Sequence, residues 1–119
     1  MKPLETNVAY GPLRRPIIGS HGLHSDNIEW QPTESPGFWV KALFDDESSG
    51  ARTTLMRIDP GAFAELHSHD QVEEILVLDG EFCDQHATYR PGDYCVRAIG
   101  AAHTAGSEEG CTVLLIYRS

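Results

Sequence analysis

Positive charge is scarce in this chain. Nine Lys and Arg stand against eighteen Asp and Glu in 119 residues, a formal net charge of −9. The basic residues are scattered, with Arg14-Arg15 the only adjacent pair. No basic stripe can follow a phosphate backbone, which excludes nucleic acid and an anionic membrane surface as main partners. Long apolar runs are missing too. The best, Val113 to Tyr117, is far too short to span a bilayer. Met1 to Glu5 contains no apolar leader core and no small-residue cleavage site, so a soluble, cytoplasmic protein is expected. The cysteines, Cys83, Cys95 and Cys111, are odd in number and far apart. That excludes a Cys-x-x-Cys metal or redox pair and a disulfide framework; they read as reduced, small apolar residues. No middle stretch holds a helical period, and no repeat or low-complexity tract is present.

What is there is a series of short β-type segments. Residues 1–27, punctuated by Pro3, Gly11, Pro12, Pro16, Gly19 and Gly22, predict an irregular N-terminal arm with a short strand around Ile17-Ile18. His21 and His24 lie in this arm and read as loop histidines rather than a second metal site. Residues 28–119 predict one all-β domain. Its strands are expected at Phe38 to Phe44, Thr53 to Ile58, Phe63 to His69, Glu73 to Leu78, Tyr94 to Arg97 and Cys111 to Arg118. Asp79-Gly80 reads as a tight hairpin turn after which Glu81 to Cys83 pairs back. Strands of this length between Gly, Pro and Asp turns point to a sandwich or barrel. Along Glu73 to Leu78 both faces are mostly apolar. One should line the interior, and the other should meet the arm or a second subunit, which predicts a homodimer.

The chemistry concentrates at His67-Ser68-His69. Residues i and i+2 of a strand point to one face, with Cα atoms roughly 6.6 Å apart, so two imidazoles can meet at one ion. Glu73 has the same parity, and a continuing strand would add its carboxylate. Glu65, two residues before His67, reads as a rim carboxylate or an acceptor for a ligand imidazole. Arg57, before the Pro60-Gly61 turn, is a candidate for holding a substrate oxygen with its planar donor fork; a partner for surface acid is the plainer reading. Phe63, Ile75 and Val77 read as core or barrel lining, and His86 as an exposed turn residue.

These residues fall into a known pattern. Gly61, five residues, His67-x-His69, three residues, Glu73, six residues and Gly80 resemble the first motif of the cupin superfamily. From Gly92, five residues lead to Ala98, followed by Gly100, two residues and His103, which resembles the second motif. Ala98 stands where relatives usually have Pro, and Ser107 where they have Asn. Trp30-x-Pro32, Pro36-Gly37, Leu55-x-Arg57-x-x-Pro60-Gly61, Tyr89-x-x-Gly92 and Gly110-Cys111 resemble the ChrR-like cupins in particular. The resemblance implies a small jelly-roll barrel with one divalent ion inside, held by His67, His69, Glu73 and His103. Iron (Fe2+) or zinc (Zn2+) are the leading ions, with Mn2+, Ni2+ or Cu2+ also suited to the donors.

Two function classes follow. Relatives in this group include dioxygenases that cleave diketones and aryl ketones, implying a non-haem metal enzyme acting on a small chelating substrate. Isomerase or lyase chemistry would use the same ligands. Others are zinc-binding sensor or regulatory domains of anti-sigma factors, which carry an added helical domain. Residues 1–27 do not read as one, so a stand-alone sensor is the form of that alternative expected here.

Overall fold

A computed structural model of the chain describes residues 11–119; Met1 to Glu5 lie outside them. Among the described residues the fold is two antiparallel β-sheets, consistent with a jelly roll. The ten strands are β1 (Gln31–Pro32), β2 (Phe38–Asp46), β3 (Ala51–Ile58), β4 (Phe63–His67), β5 (Val72–Gly80), β6 (Phe82–Cys83), β7 (Thr88–Tyr89), β8 (Tyr94–Arg97), β9 (His103–Gly106) and β10 (Cys111–Arg118). One sheet has six strands in the order β1-β2-β3-β10-β5-β8, and the other four, β4-β9-β6-β7.

Period-2 alternation places the core between them. On β10, Cys111, Val113, Leu115 and Tyr117 are buried while the residues between are only half-buried. On β5 the buried set is Glu73, Ile75 and Val77. They meet Phe38, Ile58 and Phe82 in one apolar cluster. Each such side chain, fully buried, contributes about 1.5–3 kcal/mol. Glu73 is the exception in this row. Cys111 is buried, Cys83 and Cys95 are half-buried, and all three are free.

Two local expectations are corrected. Asp79-Gly80 does not close a hairpin. β5 pairs with β10 and β8, whereas β6 pairs with β7 and β9 in the other sheet. The chain turns a corner here because Phe82, 1% exposed, buries its ring between the sheets. Nor is Ile17-Ile18 a strand; both side chains are exposed. β1 already occupies the β2 edge at Trp39 and Val40, so the arm docks further along. Leu13 forms a parallel bridge with Phe44, receiving an N–H bond from Asp45 and donating one to Leu43. Arg15 pairs with Asp46 just beyond. That guanidinium, with the Ser48 and Ser49 hydroxyls, holds the Asp46 carboxyl well below the usual range. No helix among the described residues is long and apolar enough to cross a membrane.

The corner makes a testable demand. Gly80 has φ +74°, and a Cβ there would lie 2.1 Å from the Gly110 carbonyl oxygen. Gly92 has φ +90° with open space around it. Gly80→Ala should therefore cost about 3 kcal/mol or more, and Gly92→Ala only the backbone strain of about 1 kcal/mol. Urea denaturation measures both; equal losses would refute the close packing of Gly80 on Gly110.

Candidate metal centre

Both sheets contribute to one cluster. His67 ends β4 and lies directly opposite His103 on β9, after an irregularity in the pairing between Ala64 and His67. Their ring centroids are 4.3 Å apart. His69 follows outside the strand, and its carbonyl accepts the Gly100 N–H at 2.8 Å, tying the segment after β4 to the turn before β9. The three histidines each offer a ring nitrogen, all within 4.8 Å of one another.

The rings are oriented by their backbones. His67 Nδ1 is 2.7 Å from the Glu65 carbonyl oxygen, and His103 Nδ1 is 3.0 Å from that of Thr104. A carbonyl can only accept, so each Nδ1 carries the proton, and in the neutral ring Nε2 is the nitrogen that keeps its lone pair. His103 Nε2 is buried with no hydrogen-bond partner. Burial also lowers the pKa of His69 and His103, against the opposing pull of Glu73. Neutral rings with free Nε2 lone pairs suit a metal ion, so the residues present fit one.

Glu73 comes from the opposite sheet. The expected continuous strand from His67 to Glu73 breaks at residues 68–71, where the chain crosses between sheets. The carboxylate therefore faces the imidazoles from across the core rather than from beside them. Its Oε1 is 3.5 Å from His103 Nε2 and its Oε2 is 3.5 Å from His69 Nε2. Donors about 2.1 Å from one ion sit roughly 3.0–3.4 Å apart at octahedral to tetrahedral angles. Glu73 is close to that spacing from His103 and His69, although the group whose donor atoms all lie within 4.8 Å of one another is His67, His69 and His103 without it.

The residues beside Glu73 were not picked out from sequence as its partners. Register puts Tyr117 of β10 on one side of it and Arg97 of β8 on the other. Tyr117 donates its hydroxyl to Oε2 at 2.6 Å, and Arg97 Nε donates to Oε1 at 3.2 Å. Arg97 also pairs through Nη1 with Asp84 at 3.0 Å. Burial and the neighbouring Glu73 push the Tyr117 phenol pKa far up, keeping it a donor. Burial would raise the Asp84 pKa, but the N–H groups of His86 and Ala87 and the Arg97 guanidinium outweigh it and leave it lowered.

The cluster opens into a cavity of about 520 Å³ lined mainly by apolar side chains, including Phe38, Met56, Ile75, Phe82 and Leu115. That is within the size range of small-molecule sites. Phe63 and Ile75 line it and Val77 packs in the core, the two places expected of these residues. Arg57 is placed elsewhere. Met56 and Ile58 point inward, so Arg57 projects from the outer face, over Trp30 and Trp39, and pairs with Asp59. Glu65 uses its backbone, not its carboxylate, to orient His67. His21, His24 and His86 are exposed, and none belongs to a metal-holding group among the described residues.

The model of the ChrR cupin-like domain matches residues 19–118. The chain belongs to this family. No curated protein matches it significantly. Among solved structures, this ChrR-type cupin is similar to an RmlC-like cupin from Shewanella frigidimarina, at 17% identity and TM-score 0.74, covering 84% of this chain and 91% of that one. It is also similar to a candidate acetylacetone dioxygenase from Methylibium petroleiphilum, at 16% identity and TM-score 0.77, covering 88% and 81%. A third match is the Rhodobacter sphaeroides complex of SigE with the anti-sigma ChrR, at 25% identity and TM-score 0.67. It covers 79% of this cupin but only 51% of that chain.

Arg97 is the stability test of the centre. Arg97→Met leaves two buried carboxylates, Glu73 and Asp84, without their shared cation, and should cost about 3–5 kcal/mol in urea denaturation of metal-free protein. Adding Asp84→Asn should restore part of the loss. A single variant within about 0.5 kcal/mol of the parent would contradict a buried charge pair of this kind.

Proposed function

We propose that this cupin is a mononuclear metal enzyme of the dioxygenase type acting on a ketone, diketone or similar chelating small molecule. His67, His69, Glu73 and His103 would hold the ion, with Fe2+ or Zn2+ the leading candidates. The observation that carries this reading is the junction of the donor cluster with a roomy apolar cavity. A metal that served only as a structural staple would need no such access. The similarity in fold to a candidate acetylacetone dioxygenase supports the same direction.

A bound divalent ion would supply the Lewis acidity that polarises the oxygens of a chelating substrate. The chain's own residues do the rest. Tyr117 and Arg97 hold the Glu73 carboxylate against the imidazoles. Glu65 and Thr104 carbonyls keep two rings in the ligating tautomer. Apolar walls exclude water from the bound substrate. Arg57, facing away from the cavity, has no part in this reading.

The second reading is a zinc-binding sensor domain, supported by the 25% identity with the anti-sigma complex. Isomerase or lyase chemistry at the same ion has its support in a similar fold, that of the DMSP lyase DddQ from Ruegeria pomeroyi. We read the protein as cytoplasmic, in line with three unpaired cysteines.

We also propose a homodimer. The outer face of β5 and the edge strand β8 expose Leu78, Tyr94 and Val96, with Ile99 beyond. The described part of the arm packs on β2 at Leu13, at the far side of the sheet, and a second copy is the partner we assign to this patch. Light scattering should give twice the chain mass, and Val96→Glu should halve it. A monomeric parent at high concentration would remove the dimer.

Metal analysis of tag-free protein, then oxygen uptake with a series of diketones after Fe2+ loading, tests the enzyme reading. One ion per chain and substrate-dependent uptake are expected, both lost in His69→Ala. Full metal occupancy in His69→Ala would contradict the ligand set. A closed tetrahedral zinc centre without uptake would leave the sensor reading.

A further inference from the structure

The charge of the cavity wall selects among chelating ligands. No Lys or Arg lines the cavity among the described residues; its acidic side chains are Glu34 and Glu65 at the mouth and Glu73 inside. The nearby cations are turned elsewhere. Arg97 sits behind Glu73, bonded to it and to Asp84, and its Nη2 is sealed from solvent. Arg52 lies over the Tyr117 ring and donates to Gln71. The mouth also exposes Phe63 at 61% and Leu66 at 62%, large apolar side chains flanking the exposed Glu65 on β4.

The geometry points to a ligand whose body, beyond the atoms that reach the histidines, is uncharged and apolar, and to rejection of ligands with a distal carboxylate or phosphate. This rests on reading the cavity as a substrate site. A distal anion placed against Phe38, Met56 or Phe82 would lose its hydration and gain no donor. Placed at the mouth, it would meet Glu34 and Glu65. Discrimination thus comes from a repulsive element as well as a missing attractive one. The exposed Phe63 and Leu66 side chains give an apolar ligand something to cover.

A matched pair of probes tests this. Heptane-2,4-dione and 4,6-dioxoheptanoate share one 1,3-diketone and differ by a terminal methyl against a terminal carboxylate. Each is titrated calorimetrically into protein loaded with Zn2+, so that binding is read without turnover. The neutral diketone should bind at least about ten-fold more tightly, a gap one repulsive, unpaired charge can sustain. Glu65→Lys should narrow the gap by raising affinity for the carboxylate probe. Equal binding of both probes would overturn the charge selection while leaving the substrate site intact. Binding of neither would overturn the diketone reading of the site and the selection with it.

Discussion

The fold turns on one buried carboxylate. Glu73 is 3% exposed in a row of β5 otherwise filled by Ile75 and Val77. A buried charge without partners is costly, so the structure must deliver them. It does so by register: Tyr117, Glu73 and Arg97 lie side by side across β10, β5 and β8. A slip of one residue on either neighbour would turn its donor to the outer face. The same alignment that stabilises Glu73 therefore fixes how the three strands pair. Arg97 carries the constraint into the second sheet's territory through Asp84, in the turn after β6.

The histidines depend on that frame from the other side. His67 and His103 come from the four-stranded sheet, opposite Glu73, and their Nδ1 protons are spent on backbone carbonyls. Only sheets packed face to face can bring these donors to Glu73, so the core and the centre form together. Ile75 and Leu115, on the same strands as Glu73 and Tyr117, continue the wall as the apolar lining of the cavity. Site and core share strands rather than lying in separate layers.

Much of this was legible in the chain. β2, β3, β5, β8 and β10 announce themselves by branched and aromatic residues between turn residues, and the His-x-His spacing with Glu73 marked the centre. β9 did not, because His103-Thr-Ala-Gly106 has weak strand character and is defined by pairing with β4. Asp79-Gly80 misled because a corner and a hairpin use the same turn residues; the burial of Phe82 decides between them. His67 and Glu73 share parity but not a strand. The Tyr117–Glu73–Arg97 row was out of reach, since it joins residues 44 and 24 positions apart through a register that local pattern does not encode. The two readings of Arg57 could not be separated for the same reason: only the inward turn of Met56 and Ile58 shows that it faces out, to its acidic partner Asp59.

The charges around Glu73 would suit a cation at the centre whatever the chemistry. Arg97 is shared between two carboxylates, Glu73 and Asp84, so the row carries more negative than positive charge. Tyr117, kept protonated, adds a dipole but no charge. The neighbouring imidazoles are driven by burial toward their neutral forms, which withholds the protons that could otherwise balance the excess. A low-dielectric site with surplus negative charge and uncharged nitrogen donors is relieved by a divalent ion. The ion would draw the two sheets together at the point where their donors converge. The pull that would make the site bind metal would thus also close the fold around it, leaving the apolar cavity as the open approach.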